Sequence, residues 1–209
     1  MLEEIREAVL DGNAAAVPVA VERALAQGAD PSTILDEALI PALDVVGSEY
    51  ESGIRYVPEM LASAEAMKAG MSILQPSLVA AGVQAKGRVV LGTVTGDLHD
   101  IGKNLVGMML EGAGYEVVDL GVEVSAERFV EAVREHTPDI LALSALLTTT
   151  MTNMPAVIKA LEKAGLRNTT RVVVGGAPVT QRFAEQIGAD GYAVDAPSAV
   201  SLVRHLASE

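Results

Sequence analysis

The stretch “RVVLGTVTGDLHDIGKNLVGMMLEGAGYEVVDL”, residues 88–120, runs from a β-branched segment through a glycine-rich turn and an amphipathic helix into a second β-branched segment. Valine runs closed by glycine read as strands buried on both faces, and the helix between them is long enough to cross back over a sheet. Two strands joined in this way lie parallel. The alternation continues downstream. “DILALS” (139–144), “RVVVGG” (171–176) and “DGYAV” (190–194) read as further strands, and “SAERFVEAVREH” (125–136), “MTNMPAVIKALEKAG” (151–165), “TQRFAEQIGA” (180–189) and “SAVSLVRHLASE” (198–209) as helices. Strand then helix, five times in about 120 residues, predicts an α/β fold: a flavodoxin-like (Rossmann-like) parallel sheet with right-handed crossovers. In that order the first and third strands flank the switch point.

Upstream of “GVQAKG” (82–87) the rhythm is different. Met1 to Ala81 is rich in alanine and leucine at helical spacing; “YVPEMLASAEAMKAGMSILQPSLVAAG” (56–82), for example, puts Leu61, Ala64, Met67 and Met71 on one side. Gly28 closes one helix, Asp30 caps the next, and Pro31 occupies a tolerated first-turn position. The spacing predicts four helices, the first short, in a small antiparallel bundle, with Pro41 and Pro76 kinking their helices or marking boundaries. The expected organisation is a helical domain over 1–82, a linker over 83–87 and the sheet domain over 88–209.

Composition removes several classes of function. The 209 residues carry a formal charge of −13, with 3% aromatic content and no tryptophan, so neither a phosphate-binding basic stripe nor a base-stacking platform is available and no nucleic-acid partner is expected. Absence of cysteine excludes disulfides, zinc–cysteine sites and thiol nucleophiles. No apolar run reaches membrane-spanning length and no charged-then-apolar leader is visible, so a soluble, cytoplasmic chain without a membrane partner is expected.

Ligands of such sheets bind beyond the carboxyl ends of the strands, near the switch point. The loops there, “TGDLHDIG”, “SALLTTT” and “GGAPVT”, gather Asp97, His99, Gly102, Ser144, Leu146, Gly175 and Gly176 on one rim. A metal held by protein ligands alone requires three or four of them, and His136 and His205 stand on helices away from this rim. A hydrolytic triad of Asp97, His99 and Ser144 lacks the strained elbow around its serine. A single histidine suffices when the metal arrives with its other positions filled, as in a tetrapyrrole-like macrocycle. Asp97 then takes the other ring N–H of His99, Ser144 donates to Asp97, and the glycines at 175 and 176 line a groove for the macrocycle's tail.

Asp97-Leu98-His99-Asp100-Ile101-Gly102, then Ser144-Ala145-Leu146, then Gly175-Gly176, each at the end of a predicted strand, resembles the three-part signature of base-off, His-on cobalamin-binding domains such as those of methionine synthase and the mutases. “YVPEMLASAEAM” (56–67) resembles the helical cap of the small corrinoid proteins of methyltransferase systems, and “SALLTTTM” and “GGAPVT” draw the likeness toward them, so it spans nearly the whole chain. The resemblance implies cobalamin, cycling between methylcob(III)amide and cob(I)amide, with His99 as lower axial ligand to cobalt and Asp97 and Ser144 as the relay behind it. It implies a nucleotide tail lying beside Gly102, Ser144, Leu146, Thr148, Gly175 and Gly176, with Leu98, Asp100 and Ile101 completing the cofactor loop. Val57, Glu59 and Met60 would face the reactive side of the corrin, and the “GVQAKG” linker would serve as a hinge. Partners would be a substrate-specific methyltransferase, an acceptor methyltransferase delivering to tetrahydrofolate or coenzyme M, and a reductive activase. The methyl donor (methylamine, methanol, betaine or aryl methyl ether) is chosen by the partner enzyme.

Other readings fit less well. A mutase needs a large barrel that the chain is too short to contain, and a cobalamin-binding sensor or regulator would add a DNA-binding domain. A response regulator needs an aspartate where Ser144 ends its strand, and a nicotinamide enzyme needs a Gly-x-Gly-x-x-Gly turn that “GTVTGDLHDIG” does not supply. An unassigned flavodoxin-like ligand-binding protein is the remaining alternative.

Overall fold

The structure, a computed structural model, describes Met1 to Ser208. The chain divides into two compact units, one comprising Met1–Lys86 with Met108–Gly114, the other Gly87–Gly107 with Tyr115 onward.

The first unit contains α1 (Leu2–Leu10), α2 (Ala16–Ala26), a helical rod over 31–51, and α5 (Val57–Ala80). The rod consists of α3 (Pro31–Ile34), a π-helical segment (Leu35–Leu39) and α4 (Ile40–Glu51). Asp30 caps it by accepting from Thr33 N–H at 3.1 Å, the expected use of an aspartate before a first-turn proline. Ile5, Val9, Val17, Val21, Ile34, Leu39, Met60, Met67 and Leu74 fill the bundle core. A Cβ on Gly70 would stand 2.6 Å from Val17 Cγ1, so the missing side chain permits the close approach of α5 to α2.

The two interior prolines behave differently. Pro41 has no N–H to offer the carbonyl four residues back, that of Glu37, and its ring crowds the preceding turn. The π segment widens the helix just ahead of it, and Arg6 Nη2 donates to the freed Glu37 carbonyl at 2.7 Å. Pro76 lies inside α5, which continues to Ala80, so it marks no boundary.

The second unit is a five-stranded, all-parallel sheet in the order β2-β1-β3-β4-β5. Its strands are β1 (Arg88–Thr93), β2 (Glu116–Asp119), β3 (Ile140–Ser144), β4 (Arg171–Gly175) and β5 (Gly191–Ala193). The connecting helices are α6 (Ile101–Gly112), α7 (Ala126–His136), α8 (Met154–Lys163), α9 (Gln181–Ile187) and α10 (Ala196–Leu206). β1 and β3 are neighbours, so the switch point falls where the flavodoxin-like order requires.

Strand alternation assigns the faces. Val90, Leu141, Leu143, Val172 and Val174 pack with Phe129, Val133, Val157, Ile158 and Ala184 of α7, α8 and α9. Leu91 faces the start of α6, where a Cβ on Gly107 would meet it at 3.3 Å, and Gly191 faces Leu202 of α10. Ala142 and Ser144 share the face of Leu91 by register.

Candidate functional site

The loop leaving β1 is fixed by main-chain and hydroxyl contacts before any functional group is considered. Asp97 N–H closes a turn on Val94 O at 3.2 Å, and Gly96 inside that turn has φ +82°, a conformation that glycine adopts without strain. Thr93, fully buried at the strand end, donates through Oγ1 to the carbonyl of His99 at 3.0 Å. Asn153 Nδ2 donates to Thr95 O at 2.8 Å, tying this loop to the segment after β3.

The turn buries one carboxylate completely and leaves one imidazole half outside. The Asp97 side chain is 0% exposed and that of His99 is 51% exposed. Asp97 Oδ1 lies 2.7 Å from His99 Nδ1 and accepts His99 N–H at 3.1 Å. Its Oδ2 accepts Leu146 N–H at 2.7 Å and the Thr150 hydroxyl at 2.5 Å. Burial pushes the Asp97 carboxyl up, but the donors from Thr150, Leu146 and His99 outweigh it and hold the group well below the ordinary carboxylate range. An ionised Asp97 makes Nδ1–H the donor, so the lone pair of His99 resides on Nε2.

The relay expected to end on Ser144 ends instead on Thr150. Ser144 points its side chain to the α6 and α10 face, because it alternates with Leu143 and Ala145, which belong to the opposite core. Its carbonyl accepts Val94 N–H at 3.0 Å, while its hydroxyl has no hydrogen-bond partner among the described residues. Asp97 reaches past the strand end to the turn after β3, where Thr150 is 6% exposed. The threonine run 148–150 was the signal in the sequence, but it offered three hydroxyls with nothing to rank them.

The other predicted residues fall as follows. Leu98 and Ile101 are 68% and 72% exposed, and Leu146, Leu147 and Val194, after β3 and β5, are also exposed, so the carboxyl end of the sheet that bears His99 carries several exposed apolar side chains. Asp100 accepts Asn104 Nδ2 at 3.2 Å and its carbonyl accepts Asn104 N–H at 2.7 Å at the start of α6. Beside Asn104, the buried Lys103 ammonium pairs with Asp119. A Cβ on Gly102 would meet nothing within 4 Å, so the space over the first turn of α6 is open. Thr148 is exposed, and Gly175 and Gly176 are half-buried. A Cβ on Gly176, at φ +123°, would stand 1.8 Å from Ala145 O, so the loops after β3 and β4 meet there only through a glycine. In the helical unit Val57 and Glu59 are exposed at the start of α5, where Glu59 accepts Tyr56 N–H at 2.9 Å, and Met60 is buried among the bundle helices.

These features fit a metal held in a macrocycle. Among the described residues no group of three or more His, Cys, Asp or Glu could hold a metal ion, so a metal at His99 must bring its remaining ligands with it. A carboxylate-backed Nε2 would be able to take one axial position, exposed leucines and an isoleucine would offer apolar surface to a flat ring, and the opening over Gly102 would leave room for a tail.

Such a site fits a protein that holds a metal macrocycle. A family model described as the B12 binding domain matches residues 87–201, and a second B12 binding domain model matches residues 1–75. A corrinoid protein of Desulfitobacterium hafniense (strain Y51) is 41% identical over 209 residues, spanning 99% of this chain and 97% of that one. Trimethylamine corrinoid protein 2 of Methanosarcina acetivorans is 45% identical over 187 residues, spanning 88% of this chain and 86% of that one. Among solved structures, the methanol:cobalamin methyltransferase complex MtaBC of Methanosarcina barkeri matches with a TM-score of 0.87 and 33% identity, over 99% of this chain and 79% of that one. The chain belongs to the B12-binding family, among the corrinoid proteins of methyltransferase systems, and its cofactor is cobalamin with its cobalt.

Proposed function

We propose that this protein carries a methyl group on bound cobalamin between a substrate-specific methyltransferase and an acceptor methyltransferase, with His99 as the lower axial ligand in place of the cofactor's own base. When bound, cobalamin supplies the cobalt centre that accepts and releases the methyl group. The chain's own residues bind, orient and tune. His99 presents Nε2, and Asp97 fixes the tautomer and strengthens the imidazole as a donor. Leu98, Ile101 and Leu146 would give the corrin ring an apolar surface, and Gly102, Ser144, Thr148, Gly175 and Gly176 would hold the nucleotide tail. Val57 and Glu59, exposed at the start of α5, and the buried Met60 would be the cap residues of the helical unit.

The observation that carries this reading is the outward Nε2 backed by a buried, ionised Asp97. The names of the methylamine corrinoid relatives and of the methanol:cobalamin complex support a methyltransferase partner and a methylamine or methanol donor. Tetrahydrofolate or coenzyme M as final acceptor, a reductive activase to rescue oxidised cobalt and a cytoplasmic location complete the proposal; no helix among the described residues is long and apolar enough to cross a membrane.

Aquocobalamin added to purified protein, followed by removal of free cofactor, tests it. Stoichiometric retention is expected, with a change in the visible spectrum that disappears in His99→Ala. Retention with an identical spectrum in His99→Ala would show that the histidine does not ligate cobalt.

A further inference from the structure

We propose that Lys103 is a positioning residue for His99, holding the far side of the histidine turn through Asn104 and Asp100. This rests on the reading of His99 as the cobalt ligand. A short turn tied at one end pivots about that end, so placing its middle residue takes a tie on each side. On the Asp97 side the tie runs to the turn after β3, and in the middle the His99 carbonyl accepts the Thr93 hydroxyl at 3.0 Å. On the Asp100 side the tie runs through side chains to the end of β2. Lys103 Nζ pairs with Asp119 and donates to Asn104 Oδ1 at 2.7 Å, and Asn104 Nδ2 donates to Asp100 Oδ2 at 3.2 Å. Asp119 is placed in turn by Gly121 N–H, which donates to its Oδ1 at 2.9 Å, while Gly121 O accepts Thr93 N–H at 3.0 Å. The circuit therefore leaves Thr93 through its amide and returns to it through its hydroxyl, with His99 inside.

Stability alone does not account for a lysine here. Its side chain is 1% exposed while that of Asp119 is 42% exposed, and a buried cation whose partner stays solvated recovers little of its desolvation. What the charge supplies is direction. A side-chain amide presents an acceptor and a donor group of nearly the same shape. With an ammonium at Oδ1, the Nδ2 group of Asn104 must face the other way, toward the Asp100 carboxylate. Asn104 N–H also donates to Asp100 O at 2.7 Å, so Asp100 is held at its main chain and its side chain by one residue. Lys103→Met keeps most of the stem and removes the charge. Asn104→Asp keeps an acceptor for Lys103 and sets a carboxylate against Asp100, so it breaks only the second link.

The test uses full-length protein carrying 15N-labelled histidine, loaded with aquocobalamin and then reduced to Co(II). In electron spin resonance a labelled imidazole splits the cobalt lines into doublets, whereas the cofactor's own base splits them into triplets. Wild type is expected to show doublets and His99→Ala to lose them. Only folded, loaded molecules contribute, so the doublet fraction reads the placement of the ligand and not the yield of protein. Lys103→Met and Asn104→Asp are each expected to lower the ratio of imidazole-ligated to unligated cobalt roughly fivefold. Lys159→Met, at an exposed position on α8, should match wild type. In an Asp100→Ala background Lys103→Met should cause no further loss, because the link it supports is already gone. If Lys103→Met does not fold, Asn104→Asp with and without Asp100→Ala decides the same question. A wild-type ratio in Lys103→Met or in Asn104→Asp, or an additive loss in the Asp100→Ala background, overturns the proposal alone. A wild type without doublets overturns the His99 reading and this proposal with it.

Discussion

The two ends of the parallel sheet place aspartates in similar main-chain settings and put them to opposite uses. At the amino end Asp190 Oδ2 accepts Val172 N–H at 2.6 Å and pairs with Arg167 at 2.8 Å, while Arg171 stands 3.7 Å from its other oxygen. Asp139 likewise accepts Arg88 N–H at 2.8 Å. Both carboxylates there are answered by strand amides, and Asp190 by a guanidinium as well. At the carboxyl end Asp97 also accepts a main-chain amide, that of Leu146, but its ring partner has a second nitrogen that points away. There the charge is buried and the large apolar side chains are outside, the reverse of the usual partition. A cleft of about 660 Å³ lies at the amino end, lined by Asp139, Arg167, Arg171 and Asp190. The functional end is marked instead by an unfinished hydrogen-bond chain on an inverted surface.

The contrast can be broken most severely at Gly176. Gly176→Ala forces a Cβ into Ala145 O at a φ of +123°, and a loss of about 3 kcal/mol or more in unfolding free energy is expected, read from urea denaturation. The carboxyl end would then prove to be the stability-limiting end as well. A smaller effect separates binding from folding. Leu98→Ser should leave the urea midpoint of the cofactor-free protein within error, because Leu98 is already 68% exposed. It should weaken cobalamin retention roughly tenfold, the worth of burying one leucine. A shifted midpoint with unchanged retention would return the rim to ordinary surface. The smallest effect belongs to the other end: Arg167→Ala removes the Asp190 pair and the 2.7 Å bond to Gly188 O, costing about 1 kcal/mol with cobalamin retention unchanged. Reduced retention in that variant would mean the two ends are coupled through the strands.

The legible parts of this molecule were those governed by periodicity. Five strand runs, their order and the placement of Asp97 and His99 beyond β1 follow from alternation and from the parallel crossover, both local or near-local constraints. Thr150 was not legible because its role depends on where Asp97 reaches after the strand ends, and no periodicity extends into that turn. Ser144 looked right because it stands at the strand terminus, yet alternation sends its side chain to the other face. The π segment before Pro41 was also hidden: a proline in a helical pattern signals a disturbance, while its form depends on Arg6, remote in sequence, being able to take the Glu37 carbonyl.

Two of the four donors to Asp97, the amides of His99 and Leu146, belong to the backbone. Point substitution edits side chains, and among the coded residues only proline lacks that amide hydrogen. Positions 99 and 146 therefore pass their contribution through almost any mutation, whereas position 150 can lose its contribution in one step. In a saturation library selected for imidazole-ligated cobalamin, position 146 should exclude proline and otherwise select only for apolar character, and position 150 should divide between residues with and without a hydroxyl. Half of the support for the buried charge is inherited with the fold, and half must be kept by selection on individual codons.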